Sequence, residues 1–377
     1  MENLNLDKSS WKKVNFGDVV FEPKETCKDI LGEGIEHVLG LEHIDSGDLH
    51  LRNSATIEES TTFTKKFKKG DVLFGRRRAY LKKAAQAEFD GICSGDITVF
   101  RTKKEKLLPE LLPFVVHNDK FFDYAIKHSA GGLSPRVKFK DLANYEFLLP
   151  PKEEQAKIAE LLWAMDEVIE RERDLLESID NYLFNYVEDF IFNNTNKFIK
   201  LESVMSKAKD KRAQDIDRNK ILTVRLHLNG VVKNETVNGL KIGATNYFIR
   251  KAGQFIYGKQ NLFNGAIGII PEELDGFLSS SDIPTFDINI KKVNPKYLFK
   301  YIGRKKYYTQ LEKLASGSGS KRISEANFLN IEIALPNIEI QNDFVLEIDR
   351  IENVRNINGE KKLMSQSLQR SLINQVF

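Results

Sequence analysis

Residues 64–83, TKKFKKGDVLFGRRRAYLKK, hold the densest chemical signal in the chain. Nine cations fall within these twenty residues: Lys65, Lys66, Lys68, Lys69, Arg76, Arg77, Arg78, Lys82 and Lys83, interleaved with Phe67, Phe74 and Tyr80. Guanidinium forks and ammonium groups suit phosphate oxygens, and an arginine fork can also read guanine in a major groove. The competing reading is a solvated strand pair decorated with lysine. Nine cations in twenty residues leave few counter-charges nearby, so the pattern points to nucleic acid.

A looser set follows downstream: Lys207, Lys209, Lys211 and Arg212, then Lys259, Gln260 and Asn261, then Arg304 and Lys305. Amides such as Gln260 and Asn261 can pair with adenine, although loop amides more often satisfy nearby backbone groups. Two loops rich in small residues, SAGGLSPRVKFKDL (129–142) and ASGSGSKRISEANFL (315–329), contribute Arg136, Lys138, Lys321 and Arg322. Glycine and serine let a backbone approach a phosphate closely, while an ordinary flexible loop is the plainer alternative.

Catalytic patterns are missing from the sequence. The six histidines show no HExxH or similar ligand spacing, and there is neither a Walker-type phosphate loop nor a GxSxG elbow. An Asn-Pro-Pro-Tyr-type tetrapeptide of an amino-methyltransferase is also absent. Asp18 with Glu22, Pro23 and Lys24 imitates the carboxylate and lysine set of a metal nuclease. A metal site needs converging ligands, however, and nothing else in the chain supplies them. Cys27 and Cys93 lie far apart without a partner spacing, so neither a disulfide framework nor a zinc site is indicated. The expectation is a reader with no catalytic residue and no metal of its own.

The elements that position these groups are more legible. From Ile158, alternate steps of four and three reach Leu162, Met165, Ile169, Glu172, Leu176, Ile179, Leu183, Tyr186 and Phe190. All but Glu172 are apolar, which predicts one long helix with a coiled-coil seam over 151–192. Pro151 suits its first turn, Glu153 and Glu154 suit the positive end of its dipole, and Asn193, Asn194, Thr195 and Asn196 stop it. At about 1.5 Å per residue the helix is roughly 60 Å long, a rod between domains rather than a core helix.

A second copy of this arrangement lies downstream at an offset of 186: Pro150 and Gln155 recur as Pro336 and Gln341. Ser94–Phe100 matches Ser280–Phe286, Ser134 lies over Ser320, and Arg136 over Arg322. Before Gly75 the offset falls to 183, as for Gly70 with Gly253 and Gly75 with Gly258, so one loop between Gly75 and Ser94 differs in length. A period this long marks a duplicated domain followed by a rod, not a solenoid. Four segments follow: a first domain over 1–150, a helix over 151–192, a second domain over 193–335 and a helix over 336–377. Strands are expected at 14–20, 38–44, 71–74, 97–100, 221–226, 255–257 and 267–270, with helical stretches at 107–126 and 294–314. The fold class is α/β (α+β). In the second rod Phe344, Ile348 and Ile351 keep the seam, but Arg355, Asn358, Lys362, Ser365 and Gln369 then replace apolar residues. With Gly359 at the break and a shifted stripe of Met364, Leu368 and Leu372, a kink or interruption is expected there.

The 377 residues are 41% hydrophobic and 29% charged, as in an ordinary globular protein. The start, MENLNLDKSSWKKV, lacks the apolar core of a signal peptide, and no run approaches a membrane span, so a cytoplasmic address is expected. The net charge of +3 is unevenly divided: residues 152–192 carry −8, which leaves +11 on the rest. Basic domains could meet a polyanion while the acidic rod meets something else, or both could be plain solvated surfaces.

In order and spacing, the chain resembles the specificity subunits of Type I restriction–modification enzymes over nearly its whole length. The resemblance is carried by Trp11 with FGD at 16–18, GLE at 40–42, GDVLF at 70–74, DGICSGD at 90–96 and LPPKEEQ at 149–155. NGAIG at 264–268, SSSD at 279–282 and the two rods complete it. It implies two target-recognition domains, each reading half of a split double-stranded DNA sequence, with the long helices paired as an antiparallel spacer. It further implies two methyltransferase subunits and motor-endonuclease subunits as partners, to which S-adenosylmethionine, ATP and magnesium would belong. A structural coiled-coil adaptor and a stand-alone DNA-cleaving enzyme with an unrecognised metal site are the alternatives.

Overall fold

A computed structural model describes residues 7–57, 62–194, 197–236, 246–317 and 319–377. The chain divides into two compact units, Met1–Asp174 with Asn358–Phe377, and Leu175–Ile357.

In the first unit a four-stranded antiparallel sheet runs in the order Val20–Phe21, Ile97–Thr102, Val72–Gly75, Ala84–Gln86. A three-stranded sheet follows the order Val38–Leu39, Gly91–Cys93, Lys65–Phe67, its first pair parallel. Lys12–Asn15 pairs with Glu146–Leu149 and closes the domain. The expected strand over 14–20 is instead two strands separated by the helical turn Phe16–Val19. Asp18 folds back to accept the Asn15 amide at 3.3 Å, and this local bond competes with the extended ladder. The expected strand over 38–44 likewise ends at Leu39 and passes into the turn Leu41–His43. The helical stretch after Leu107 is broken in two, Leu112–His117 and Asp119–Lys127. Asn118 between them is extended, and its side chain caps the second helix by accepting the Lys120 amide at 2.8 Å.

The second unit repeats the plan. Its four-stranded antiparallel sheet runs Met205–Lys207, Thr285–Ile288, Phe255–Tyr257, Ile267–Ile269. Lys211–Arg212, Tyr247–Ile249 and Leu278–Ser280 form the three-stranded sheet, and Phe198–Lys200 with Glu332–Ala334 the closing pair. The parallel contact of Val38 with Ile92 recurs as Ile221 with Leu278. The offset changes in the connection from Ile267–Ile269 to Leu278–Ser280, which carries an added turn at Glu272–Leu274. Helices Pro295–Ile302 and Lys305–Gln310 occupy the helical slot.

The long helices are Lys152–Asn193 and Ile338–Val376. Asn193 ends the first, while Thr195 and Asn196 lie outside the described residues. In the first unit Leu162 and Ala159 join Leu372, Ile373, Val376 and Phe377 in a core that includes Phe16, Phe74, Phe100 and Phe121. Gln369 donates to the Leu162 carbonyl and to Asp166, both at 3.4 Å, and Ser365 donates to Glu172 at 3.2 Å. In the second unit Phe344 lies 4.3 Å from Phe190 and 5.7 Å from Tyr186 between ring centroids, and Arg355 pairs with Asp180. Within each unit, rising numbers on one helix meet falling numbers on the other, so the pairing is antiparallel. Every seam position from Ile158 to Phe190 is buried or half-buried.

The second helix corrects the expectation of a break. It runs without interruption through Gly359, where an added Cβ would meet nothing within 4 Å. The seam does not shift register either, because Met364 and Leu368 are 71% and 50% exposed. Asn358, Lys362, Ser365 and Gln369 stay on the inner face, where Ser365 and Gln369 hydrogen-bond to the partner helix. One glycine costs a helix only about 1 kcal/mol, less than the contacts on either side supply. No helix among the described residues is long and apolar enough to cross a membrane.

Candidate nucleic-acid interface

Arg76, Arg77 and Arg78 follow directly on the strand Val72–Gly75. The small-residue loop folds back on them: Ala130 and Arg136 exchange backbone hydrogen bonds of 2.9 Å, and the Val137 amide donates to the Arg76 carbonyl at 3.0 Å. Gly131, at φ 119°, makes the tight turn that allows this. Four arginines thereby converge. Arg136 donates through Nε to Asp96 at 2.8 Å, while Arg77 donates to the same carboxylate at 3.2 Å and to Ser134 Oγ at 3.1 Å. Burial works against the Asp96 carboxylate, but the two arginines hold it below the ordinary range. Arg76 Nε caps the Val137 carbonyl at 3.2 Å, whereas Arg78, Lys138 and Tyr80 are exposed.

The lysines of the same stretch behave differently. Lys65 reaches Glu22 at 3.2 Å and the Ile97 carbonyl at 2.8 Å. Lys66 is paired with Glu33, Lys68 stands 3.9 Å from Glu25, and Lys82 is 2.7 Å from Asp119. Lys69 is exposed, with its amide donating to Asp90. The expected shortage of counter-charges is therefore corrected. Glu22, Glu25, Glu33 and Asp119 lie outside the stretch in sequence and are brought to it by the fold. Glu22 and Asp18, read as possible metal ligands, are engaged with Lys65 and Asn15. Among the described residues no group of three or more His, Cys, Asp or Glu could hold a metal ion.

The second domain rebuilds the same frame with other side chains. The Ile323 amide donates to the Lys259 carbonyl at 2.9 Å, Ser316 and Arg322 exchange backbone bonds of 2.9 Å, and Gly317 turns at φ 123°. With its amide oriented as its neighbours require, the Gln260 oxygen accepts from Arg322 Nη2 at 2.7 Å and Nε at 3.2 Å. Arg322 also lies 3.4 Å from Asp282. Lys259 is paired with Glu325 at 3.1 Å, Lys321 with Glu312 at 2.6 Å, and Asn261 closes its own turn by accepting from Asn264. Arg304 is engaged elsewhere: it reaches Glu188 on the first long helix at 3.4 Å and stacks 4.5 Å from the Tyr301 ring. Lys305 is exposed at the start of its helix.

Asp96, Asp282 and Ser134 were not singled out from the sequence as members of these clusters, although the signal was present. Asp96 and Asp282 sit at the same offset as Arg136 and Arg322. Behind the second cluster, fully buried Arg250 ties Ser279 at 2.7 Å, Asp210 at 2.9 Å and Thr285 at 3.2 Å, which fixes the turn that presents Asp282.

Residues 8–181 match the family model described as the Type I restriction modification DNA specificity domain. The MjaVIII Type I restriction enzyme specificity subunit of Methanocaldococcus jannaschii is 21% identical over 300 residues, 72% of this chain and 70% of that one. Among solved structures, a chain from a study of the assembly and conformational transition of a type I R-M system aligns at TM-score 0.59 and 17% identity. That alignment covers 98% of this chain and 97% of the other. The S subunit of a Type-I restriction-modification system from M. genitalium aligns at TM-score 0.56 and 12% identity, over 100% and 98% of the two chains. These structures share the fold of the whole chain. Residues 8–181 are thus similar to the Type I restriction modification DNA specificity domain, and the whole chain shares its fold with these subunits.

Proposed function

We propose that this chain reads a split target in double-stranded DNA, one half with each domain, as the specificity subunit of a Type I restriction–modification complex. The observation that carries the reading is the recurrence of one basic frame in both domains. Arg76, Arg77, Arg136 and Asp96 correspond to Lys259, Gln260, Arg322 and Asp282 on the same backbone bonds. Two copies of one surface on a single chain suit a target in two parts. Their different side chains suit two different half-sites. The functional partition is a reading domain over 1–150, a spacer helix over 151–192, a second reading domain over 193–335 and a second spacer over 336–377. We assign DNA contact to the arginines and amides of these frames and to Lys65, Lys66, Lys68, Lys69, Tyr80, Lys138, Lys259, Lys305 and Lys321, and leave out Arg304, which is held by Glu188 and Tyr301.

The chain directs chemistry performed by others. Two methyltransferase subunits and the motor-endonuclease subunits are its partners, and S-adenosylmethionine, ATP and magnesium act in them. Leu161 and Val168, seven residues apart on one helix face, are 48% and 47% exposed, an apolar surface suited to a partner helix. The −8 charge of residues 152–192 disfavours phosphate there and favours protein. The complex works in the cytoplasm, where its DNA is.

The test is a methylome of cells that express the chain with its methyltransferase subunits. A two-part motif with modified adenines that disappears when the chain is omitted supports the reading. Failure of the purified complex to bind DNA in a salt-dependent way would favour a structural adaptor. DNA cleavage by the purified chain alone would favour an enzyme.

A further inference from the structure

We propose that Asp96 and Asp282 are positioning residues for base recognition. Each orients an arginine, Arg136 or Arg322, so that its remaining N–H groups read one guanine in the half-site of its own domain. The proposal rests on the reading of the chain as a DNA specificity subunit.

The two clusters coincide in backbone but have diverged in most side chains. The amide of residue 76 donates to the Asp96 carbonyl at 2.9 Å, and the amide of Lys259 donates to the Asp282 carbonyl at 2.9 Å. Around these shared bonds Arg76 has become Lys259, Arg77 has become Gln260, Arg78 has become Asn261, and Lys138 has become Ser324. The arginine and its carboxylate are the same in both copies. Stability gives little reason for this, because Arg136 and Arg322 are 46% and 48% exposed. Ion pairs so placed contribute little to stability.

The geometry distinguishes reading a base from clamping a phosphate. A guanidinium already facing a carboxylate gains less from neutralising phosphate, so its remaining value is directional. Arg136 meets Asp96 through Nε, and its two Nη groups have no protein partner among the described residues. That edge presents two parallel donors, the complement of guanine O6 and N7. In the second domain the Gln260 oxygen takes Nε and Nη2 of Arg322, and Asp282 lies 3.4 Å from the same Nη2, which leaves the N–H groups of Nη1 as the donors for a base. The carboxylate beside each arginine adds an acceptor suited to the N4 amino group of the paired cytosine.

The experiment uses the complex of the chain with its methyltransferase subunits, carrying Arg136→Lys, Asp96→Asn, Arg322→Lys or Asp282→Asn in turn. Binding is measured on a library of duplexes varied at every half-site position, at several salt concentrations. Arg136→Lys and Asp96→Asn should relax one G·C position in one half-site by about five- to a hundredfold. The other half-site should stay as it was, and serves as an internal control of folding. Arg322→Lys and Asp282→Asn should relax one position in the opposite half-site, and none of the four should flatten the salt dependence. Unchanged discrimination in both lysine variants would overturn the proposal. So would a uniform loss of affinity across all sequences with a shallower salt slope, which marks phosphate contact. An unaltered complex that binds DNA without sequence preference would instead overturn the functional reading beneath it.

Discussion

Gln155 and Gln341 make the same three hydrogen bonds in the two halves of the chain. Gln155 accepts the Leu108 amide at 3.0 Å and donates to the carbonyls of Lys106 and Pro150, both at 3.0 Å. Gln341 accepts the Asn294 amide at 2.8 Å and donates to those of Lys292 and Pro336 at 3.3 and 2.8 Å. Both side chains are buried, and each ties the start of a long helix to the helical slot of its own domain. Replacing either glutamine by alanine strands a buried amide and two carbonyls. Each variant should lose roughly 1–3 kcal/mol in denaturant unfolding. Unchanged midpoints would show that these junctions are not what fixes the helices.

The seam makes a graded prediction. Leu162 is fully buried, whereas Leu176 is half-buried. Leu162→Ala should cost about 2–5 kcal/mol and Leu176→Ala less. Gly359→Ala should raise stability by about 0.5–1 kcal/mol, since its added methyl meets open space in a continuous helix. Thermal unfolding of the three variants decides this, and a destabilised Gly359→Ala would restore the idea of a break.

His50 makes stability depend on pH. Its hydrogen bond to Asp166, at 2.6 Å, and a second to Glu88 push it up from 6.5 to about 9. A raised pKa means the folded state holds the proton more tightly than the unfolded one. The contribution is therefore complete below pH 6.5 and fades as pH rises through about 9. Unfolding measured from pH 6 to pH 10 should show this loss, and His50→Gln should flatten it. A variant with the same slope would place the titrating group elsewhere.

The division of roles between the arginines and the lysines is testable on DNA. Replacing Arg76, Arg77 and Arg78 together by alanine should weaken binding and reduce its salt dependence. Replacing Lys65 and Lys66 should change the salt slope less and stability more, because both are held by glutamates. Equal effects from the two sets would mean those ion pairs open when DNA arrives.

The seam from Ile158 to Phe190 was legible because a helix writes its contacts at fixed spacing. The duplication was legible for a related reason, since a constant offset survives divergence. It carried Arg136 over Arg322 and Asp96 over Asp282, but not the contact between arginine and carboxylate, which only the fold makes. The lysines of 64–83 misled because their partners, such as Glu22 for Lys65, lie tens of residues away and only the fold joins them. The second helix misled for the opposite reason. Met364 and Leu368 are conspicuous but exposed, while the inner face uses Ser365 and Gln369, which no apolar pattern reveals.

The central claim is that two domains read two half-sites whose spacing the long helices set. Lengthening both helices by one heptad, between Asp174 and Leu175 and between Ile357 and Asn358, keeps the seam in phase. Seven residues add about 10 Å of helix, against about 3.4 Å per base pair. The measurement is the methylome of cells carrying this variant with its methyltransferase subunits. Both half-sites should keep their sequences while the unspecified gap widens by up to about three base pairs. A folded, active variant that still modified the original spacing would contradict the account.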